Sequence, residues 1–153
     1  MVDRLITVRP ACADDWPAVE RLLLEHGLPL EGARHHFENF FVAHRSGELA
    51  GCAGLEQYGS VGLLRSVAVA SDARDRGVGT TLSRAVLSRA RQRGLSRLYL
   101  LTTTANGYFV RHGFVEVLRE TAPPGLLESA EFRGACPASA VLMTLAPLND
   151  QQA

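Results

Sequence analysis

Cysteine is scarce: the 153-residue chain holds three, Cys12, Cys52 and Cys136, far apart and with no C-x-x-C spacing. An odd, scattered set neither builds a disulfide framework nor supplies a zinc site, and it fits a reducing, cytoplasmic setting. Net charge is missing as well, with 16 basic residues against 16 acidic ones. Domains that hold nucleic acid are ordinarily basic, so no such partner is expected. Long apolar runs are also lacking. The longest, Leu63 to Ala70, is interrupted by Arg65 and falls short of the ~18 residues that a membrane span requires. Asp3 and Arg4 follow Met1 with no apolar segment after them, so neither a signal peptide nor a membrane partner is expected. What is present is ordinary globular composition, 46% hydrophobic and 21% charged. The length suits one domain, read as residues 1–153.

Leu5 to Val8, short and β-branched before Arg9–Pro10, predicts a first strand. Trp16, Val19, Leu22 and Leu23 recur at helical spacing behind Asp14 and Asp15, with Pro17 in the first turn and Gly27 as a stop. Residues 28–38 predict a second short helix carrying His35, His36 and Phe37. Phe40 to His44 and Leu49 to Glu56 predict two strands joined at Ser46–Gly47, and Val61 to Val69 predicts a central strand buried on both faces. From Gly77 the period becomes helical. Val78, Leu82, Ala85, Val86 and Ala90 share one face, Arg84, Ser88 and Arg91 take the other, and Gly94 closes the helix. Leu98 to Leu101, Phe114 to Leu118 and Val141 to Leu145 predict further strands, with a short helix over Ala105 to His112. Pro123–Pro124–Gly125 predicts a hard break. That order describes an α/β (α+β) domain, a mixed sheet with helices on both faces.

The chemically informative stretch joins the strand ending at Val69 to the helix opening at Gly77, through Arg74, Asp75 and Arg76. Glycines at 77 and 79 let the backbone turn tightly and present successive N–H groups at a helix N-terminus. Such a turn suits a diphosphate, with Arg74 and Arg76 adding charge beside it. The same glycines also serve a plain strand-to-helix turn with solvated arginines. The pattern is neither a Walker loop, which needs G-x-x-x-x-G-K-[ST], nor a dinucleotide fingerprint, which needs a third glycine.

Val67–Ala68–Val69 followed by Arg74, Gly77 and Gly79 in Arg-x-x-Gly-x-Gly spacing resembles motif A of the GNAT superfamily of N-acetyltransferases, and Phe109…Gly113–Phe114 resembles its next motif. The resemblance runs from about residue 5 to residue 146. It implies a splayed sheet of six to seven strands and acetyl-CoA as cosubstrate. Val67, Ala68 and Val69 would then border the pantetheine, and Arg74, Asp75, Arg76, Gly77, Val78, Gly79 and Thr80 the pyrophosphate. Gly54 to Gly59, Leu63 to Val69, Leu98 to Ala105, Arg119 with Pro123–Pro124, Glu131–Phe132 and Cys136 to Ala140 are similar to the arsenic-resistance N-acetyltransferases. A more distant likeness is to the acetyltransferase domain of N-acetylglutamate synthases. These likenesses imply a small amino acid as acceptor, such as a glutamate analogue bearing arsenic or phosphorus, and the assembly expected is a homodimer.

N-acetyl transfer needs a neutral amine, so a base within reach is sought. Glu56, at a strand end beside motif A, is the candidate; its other reading is a solvated carboxylate. A backbone N–H near Val67–Val69 is the candidate oxyanion donor. Many superfamily members carry a tyrosine as proton donor four residues before the glycine matching Gly113, but Phe109 stands there and the tyrosine is Tyr108. Thr102 replaces the superfamily's asparagine. Tyr108 is therefore either the acid or part of a packed wall. Arg65, a lone charge in an apolar strand, pairs either with an acidic acceptor or with Glu56. Thr102, Thr103 and Ser139 are candidate hydroxyl donors to substrate, each with a structural alternative. His35 and His36 are adjacent and point apart, so no metal is expected. Cys136 is either a soft ligand for arsenic or inert.

Overall fold

A computed structural model describes residues 5–148; the ends of the expected 1–153 domain, and the Asp3 and Arg4 behind the signal-peptide expectation, lie outside them. Strand β1 (Ile6–Pro10) precedes helix α1 (Trp16–Glu25), and then β2 (Phe40–Arg45), β3 (Glu48–Tyr58) and β4 (Val61–Val69) run as a meander. Helix α2 (Val78–Gln92), β5 (Arg97–Thr102), α3 (Asn106–Arg111), β6 (Val115–Val117) and β7 (Val141–Leu145) complete the chain. The seven strands lie in the order β1-β2-β3-β4-β5-β7-β6. Among the described residues only β4 and β5 pair in parallel.

Two-residue turns set the meander. Ser46 and Gly47 both take positive φ (53° and 82°), as a twisted hairpin turn demands. Alternation along β2 sends Phe40 and Val42 to one face and Phe41 and Ala43 to the other. On the first face they meet Trp16, Val19 and Leu23 of α1; on the second they meet Val78, Leu82 and Val86 of α2. Helices therefore cover both faces of the sheet, and the α2 stripe is the one its periodicity predicts.

The opening in the sheet has two causes. Parallel pairing between β4 and β5 covers only Val61–Leu63 against Arg97–Tyr99. Beyond that, β4 carries a bulge: the register passes from Gly54↔Arg65 to Cys52↔Ala68, so Ser66 and Val67 together face Ala53. Ser66 sits at φ 59°, which bends the strand. Past Leu63 the two strands part, and their facing edges border a cavity.

Two segments depart from the sequence reading. Residues 28–38 form turns and a single 3-10 turn, Phe37–Asn39, rather than a helix. Gly32 lies at φ 82°, and the carbonyls of Pro29 and Glu31 accept hydrogen bonds from Arg65 instead of from a following helical turn. The Pro123–Pro124 break is followed by helical turns at Pro124–Glu128 and Glu131–Ala135. Pro124 opens the first of these, where its missing N–H costs nothing. No helix among the described residues is long and apolar enough to cross a membrane.

Candidate active site

The cavity between the parted strands has a volume of about 750 Å³. At one end lies the N-terminus of α2. Asp75 and Gly77 both take positive φ (63° and 79°), so the chain doubles back just before the helix. Gly77 is the N-cap and supplies no side chain to the first turn, leaving the amides of that turn for another acceptor. Gly77, Val78, Gly79 and Thr80 border the cavity together with Arg74 and Asp75. A Cβ on Gly79 would stand 3.2 Å from the Tyr108 hydroxyl and 3.5 Å from Val69 Cγ2, so a side chain would fill the approach to those amides. Amide donors, a helix dipole and Arg74 suit a diphosphate. Arg76 does not border the cavity.

Along the β4 edge, Val67 and Val69 face the opening, while Ala68 packs into the α1 side of the core. His26, at the end of α1, places Nε2 2.9 Å from the Val69 carbonyl and Nδ1 3.0 Å from that of Leu22, tying helix to strand. Opposite stand Thr102 and Thr103 of the β5 end. The Thr102 hydroxyl accepts from the Ala105 amide at 3.0 Å, which shapes the entry to α3. Ser139 is exposed on a turn outside the cavity and is not brought to the site; Cys136, Pro137 and Ala140 of the same segment are.

Helix α3 turns Tyr108 to the cavity and packs Phe109 into the core. The Tyr108 ring lies against His112 at 4.5 Å between centroids. Its hydroxyl is buried without a hydrogen-bond partner among the described residues. A buried donor without a partner costs free energy, so a ligand that accepts its hydrogen bond relieves that cost.

Arg65 borders the cavity and meets Glu56 behind its wall. Arg65 Nη1 donates to Glu56 Oε2 at 2.6 Å and to the Glu31 carbonyl at 2.8 Å; Nη2 donates to the Pro29 carbonyl at 3.0 Å and Nε to Ser66 Oγ at 3.0 Å. Glu56 Oε1 accepts from the Tyr58 hydroxyl at 2.5 Å. Burial, and then this hydrogen bond, push the Tyr58 phenol up, so it remains a donor. His36 Nε2 is 3.7 Å from Oε1, and burial lowers its ring below the ordinary imidazole value. Glu56 is wholly buried and does not border the cavity. The sequence reading set it at a strand end beside motif A; in the structure β3 runs on to Tyr58, and Arg65 lies against the Glu56 carboxylate. The pair with Glu56, one of the two roles read for Arg65, is formed in this structure.

The residue that sequence reasoning did not assign is Glu131. It is 4% exposed, borders the cavity, and places Oε2 3.5 Å from Arg65 Nε. Burial, the larger effect, outweighs Arg65 and lifts its carboxyl to about 7. Its one signal in the sequence was the Glu131–Phe132 likeness, which carries no period or spacing. Adjacent His35 and His36 meet edge-on at 5.0 Å, and no group of three or more His, Cys, Asp or Glu among the described residues is placed to hold a metal ion.

The acetyltransferase (GNAT) family matches residues 7–114, which include the α2 turn and most of the cavity wall. The chain belongs to that family. Within GNAT proteins, it is 31% identical over 130 residues to an amino-acid acetyltransferase of Neisseria meningitidis, covering 79% of this chain and 30% of that relative. The chain thus spans about a third of such a relative's length. The structure of N-acetylglutamate synthase from Neisseria gonorrhoeae, complexed with coenzyme A and N-acetyl-glutamate, superposes with a TM-score of 0.81 at 25% identity over 95% of this chain and 36% of that one. The structure of Rv2747 from Mycobacterium tuberculosis in complex with CoA matches with a TM-score of 0.73 at 26% identity, covering 92% of this chain and 98% of that one.

Proposed function

We propose that the protein is an acetyl-CoA-dependent N-acetyltransferase acting on the amine of a small amino acid. The observation that carries this reading is the cavity itself. One end offers unpaired amides at a glycine-shaped helix N-terminus, and the other is closed by Glu131 and Cys136. Likeness to proteins crystallised with coenzyme A supports acetyl-CoA as the group that supplies the acetyl thioester. Arg74 and the amides of residues 77–80 would hold its diphosphate, and the open edge of Val67 and Val69 would line its arm. A backbone N–H of that edge would stabilise the carbonyl oxygen, because it is fixed in place before the reaction. Tyr108, whose hydroxyl has no hydrogen-bond partner among the described residues, would donate to the bound cosubstrate.

A glutamate-shaped antimetabolite bearing arsenic or phosphorus is the acceptor class supported by the sequence likeness to arsenic-resistance N-acetyltransferases, and the N-acetyl-glutamate complex of a relative supports a glutamate-shaped acceptor in general. Arg65 does not carry that choice, since its guanidinium is engaged by protein acceptors. A biosynthetic role on plain glutamate is the second reading, favoured by the likeness to amino-acid acetyltransferases. Acetyl-CoA consumption measured against glutamate, phosphinothricin, arsinothricin and other amino acids separates the two. Efficient turnover of glutamate alone supports the second. Coenzyme A binding with no turnover of any amine defeats both and leaves a sensor.

A further inference from the structure

We propose that Glu131 receives the acceptor's ammonium group and takes its proton. The assignment rests on the acetyltransferase reading above and adds to it the proton acceptor that Glu56 does not provide from behind Arg65. Glu131 is the carboxylate of the buried charge cluster that borders the cavity, and its side chain is almost wholly shielded from bulk water.

Charge in the cluster makes the case. Arg65 approaches from β4, Glu56 lies beyond it on β3, and Glu131 comes from the turn Glu131–Ala135, so two carboxylates face one guanidinium. Arg65 sits at 2.6 Å from Glu56 and only 3.5 Å from Glu131. The remaining neighbours do not balance Glu131. Cys136 hydrogen-bonds its carboxylate as a thiol, and burial pushes that thiol up to about 12, so it does not ionise near neutral pH. Ser129 Oγ is engaged by the Glu131 amide at 3.2 Å. His36 and Tyr58 stand on the far side of Glu56. Arg119 is occupied over the Phe132 ring and by the Ala140 carbonyl. The cluster is one cation short, and an ammonium entering the cavity supplies it. With its carboxyl lifted to about 7, Glu131 exchanges a proton in the range where a proton acceptor works well.

The step balances simply. The acceptor enters as R–NH3+ and passes one proton to a Glu131 oxygen, leaving a carboxylic acid and a neutral amine. The nitrogen lone pair forms the N–C bond to the thioester carbonyl carbon. The C–S bond breaks with its electron pair on sulfur, and the second nitrogen proton goes to that sulfur. Glu131 then gives its proton to water.

The test is the pH–rate profile of Glu131→Gln with acetyl-CoA and whichever amino acid in the panel the wild type turns over fastest. At neutral pH kcat/KM falls by about 10²-fold or more. The acidic limb of the wild type moves upward, and the variant's rate keeps climbing with pH as solvent deprotonates the amine. KM for acetyl-CoA stays unchanged. A folded variant with wild-type rate and an unmoved limb overturns the assignment. Should Glu131→Gln fail to fold, Glu131→Asp retains the charge on a shorter arm. It then loses rate while keeping an acidic limb, and wild-type kinetics in it overturn the proposal equally. A wild type that acetylates no amine in the panel defeats the parent reading, whereas a working wild type with an indifferent Glu131 defeats this one alone.

Discussion

Arg65 and Glu56, side by side on neighbouring strands, form an ion pair with neither side chain exposed. Such a pair gains little over apolar packing, yet breaking it from one side strands a buried charge. Arg65→Met leaves Glu56 and Glu131 both facing a low-dielectric interior without a cation. It should cost about 3–5 kcal/mol and lower Tm by roughly 10 °C. Glu56→Gln keeps an acceptor for Arg65 and keeps Glu131 opposite it, so it should cost less, about 1–3 kcal/mol. Thermal melts of the two variants without ligand check the order; equal losses would mean that the cluster is not held by Arg65.

Gly79 is the position where space rather than charge decides. A Cβ there meets the Tyr108 hydroxyl at 3.2 Å, and valine would extend farther into the approach to the amides. Gly79→Val should weaken coenzyme A binding by about tenfold or more in calorimetry, a loss of at least ~1.4 kcal/mol. Gly79→Ala should lose less, and its loss should shrink further when measured in a Tyr108→Phe background.

Tyr108 separates stability from turnover. Its hydroxyl is buried without a hydrogen-bond partner among the described residues, so Tyr108→Phe removes no bond from the unliganded protein, relieves the cost of that unpaired group, and should hold Tm level or raise it. If the hydroxyl serves the bound cosubstrate, kcat/KM should fall by about tenfold or more in the same variant. A fall in Tm with unchanged kinetics would make Tyr108 a packing residue.

Two carboxylates should give the stability profile opposite slopes. The Glu131 carboxyl is raised from 4.5 to about 7 by burial, so its contribution is full below 4.5 and is lost as pH rises through about 7. Asp15 is the reverse: hydrogen bonds from Arg9 at 2.8 Å hold it well below the usual carboxylate range. Its contribution is present above about 3.8 and is lost as pH falls farther. Melting temperatures of Glu131→Gln and Asp15→Asn across that range should each lose one slope and keep the other.

Local rules made most elements legible. The nearly continuous apolar run from Val61 to Val69 and the period-3.6 stripe from Gly77 located β4 and α2, and Ser46–Gly47 and Gly94, all at positive φ, marked the β2–β3 turn and the end of α2. The α2 end of the cavity was visible for the same reason, since glycine spacing is a local signal. The other end was not. Glu131 reaches the cavity through helical turns after two prolines, and the bulge at Ser66 has no signature in side-chain alternation, although the Arg65–Glu56 pair itself was one of the two readings of Arg65. Residues 28–38 were misread because their backbone is organised by a guanidinium far away in sequence, a non-local contact that outweighs helix propensity.

That last contact separates the position of one cavity wall from its composition. Arg65 holds the 28–32 segment by the carbonyl oxygens of Pro29 and Glu31, groups that every amino acid supplies. Leu28 and Pro29 line the cavity from this segment, so substitutions there can recontour that wall without unseating the loop. The fold thus offers a tunable panel hung on a main-chain hook, and the shape of the cavity can change there while the α2 turn stays as it is.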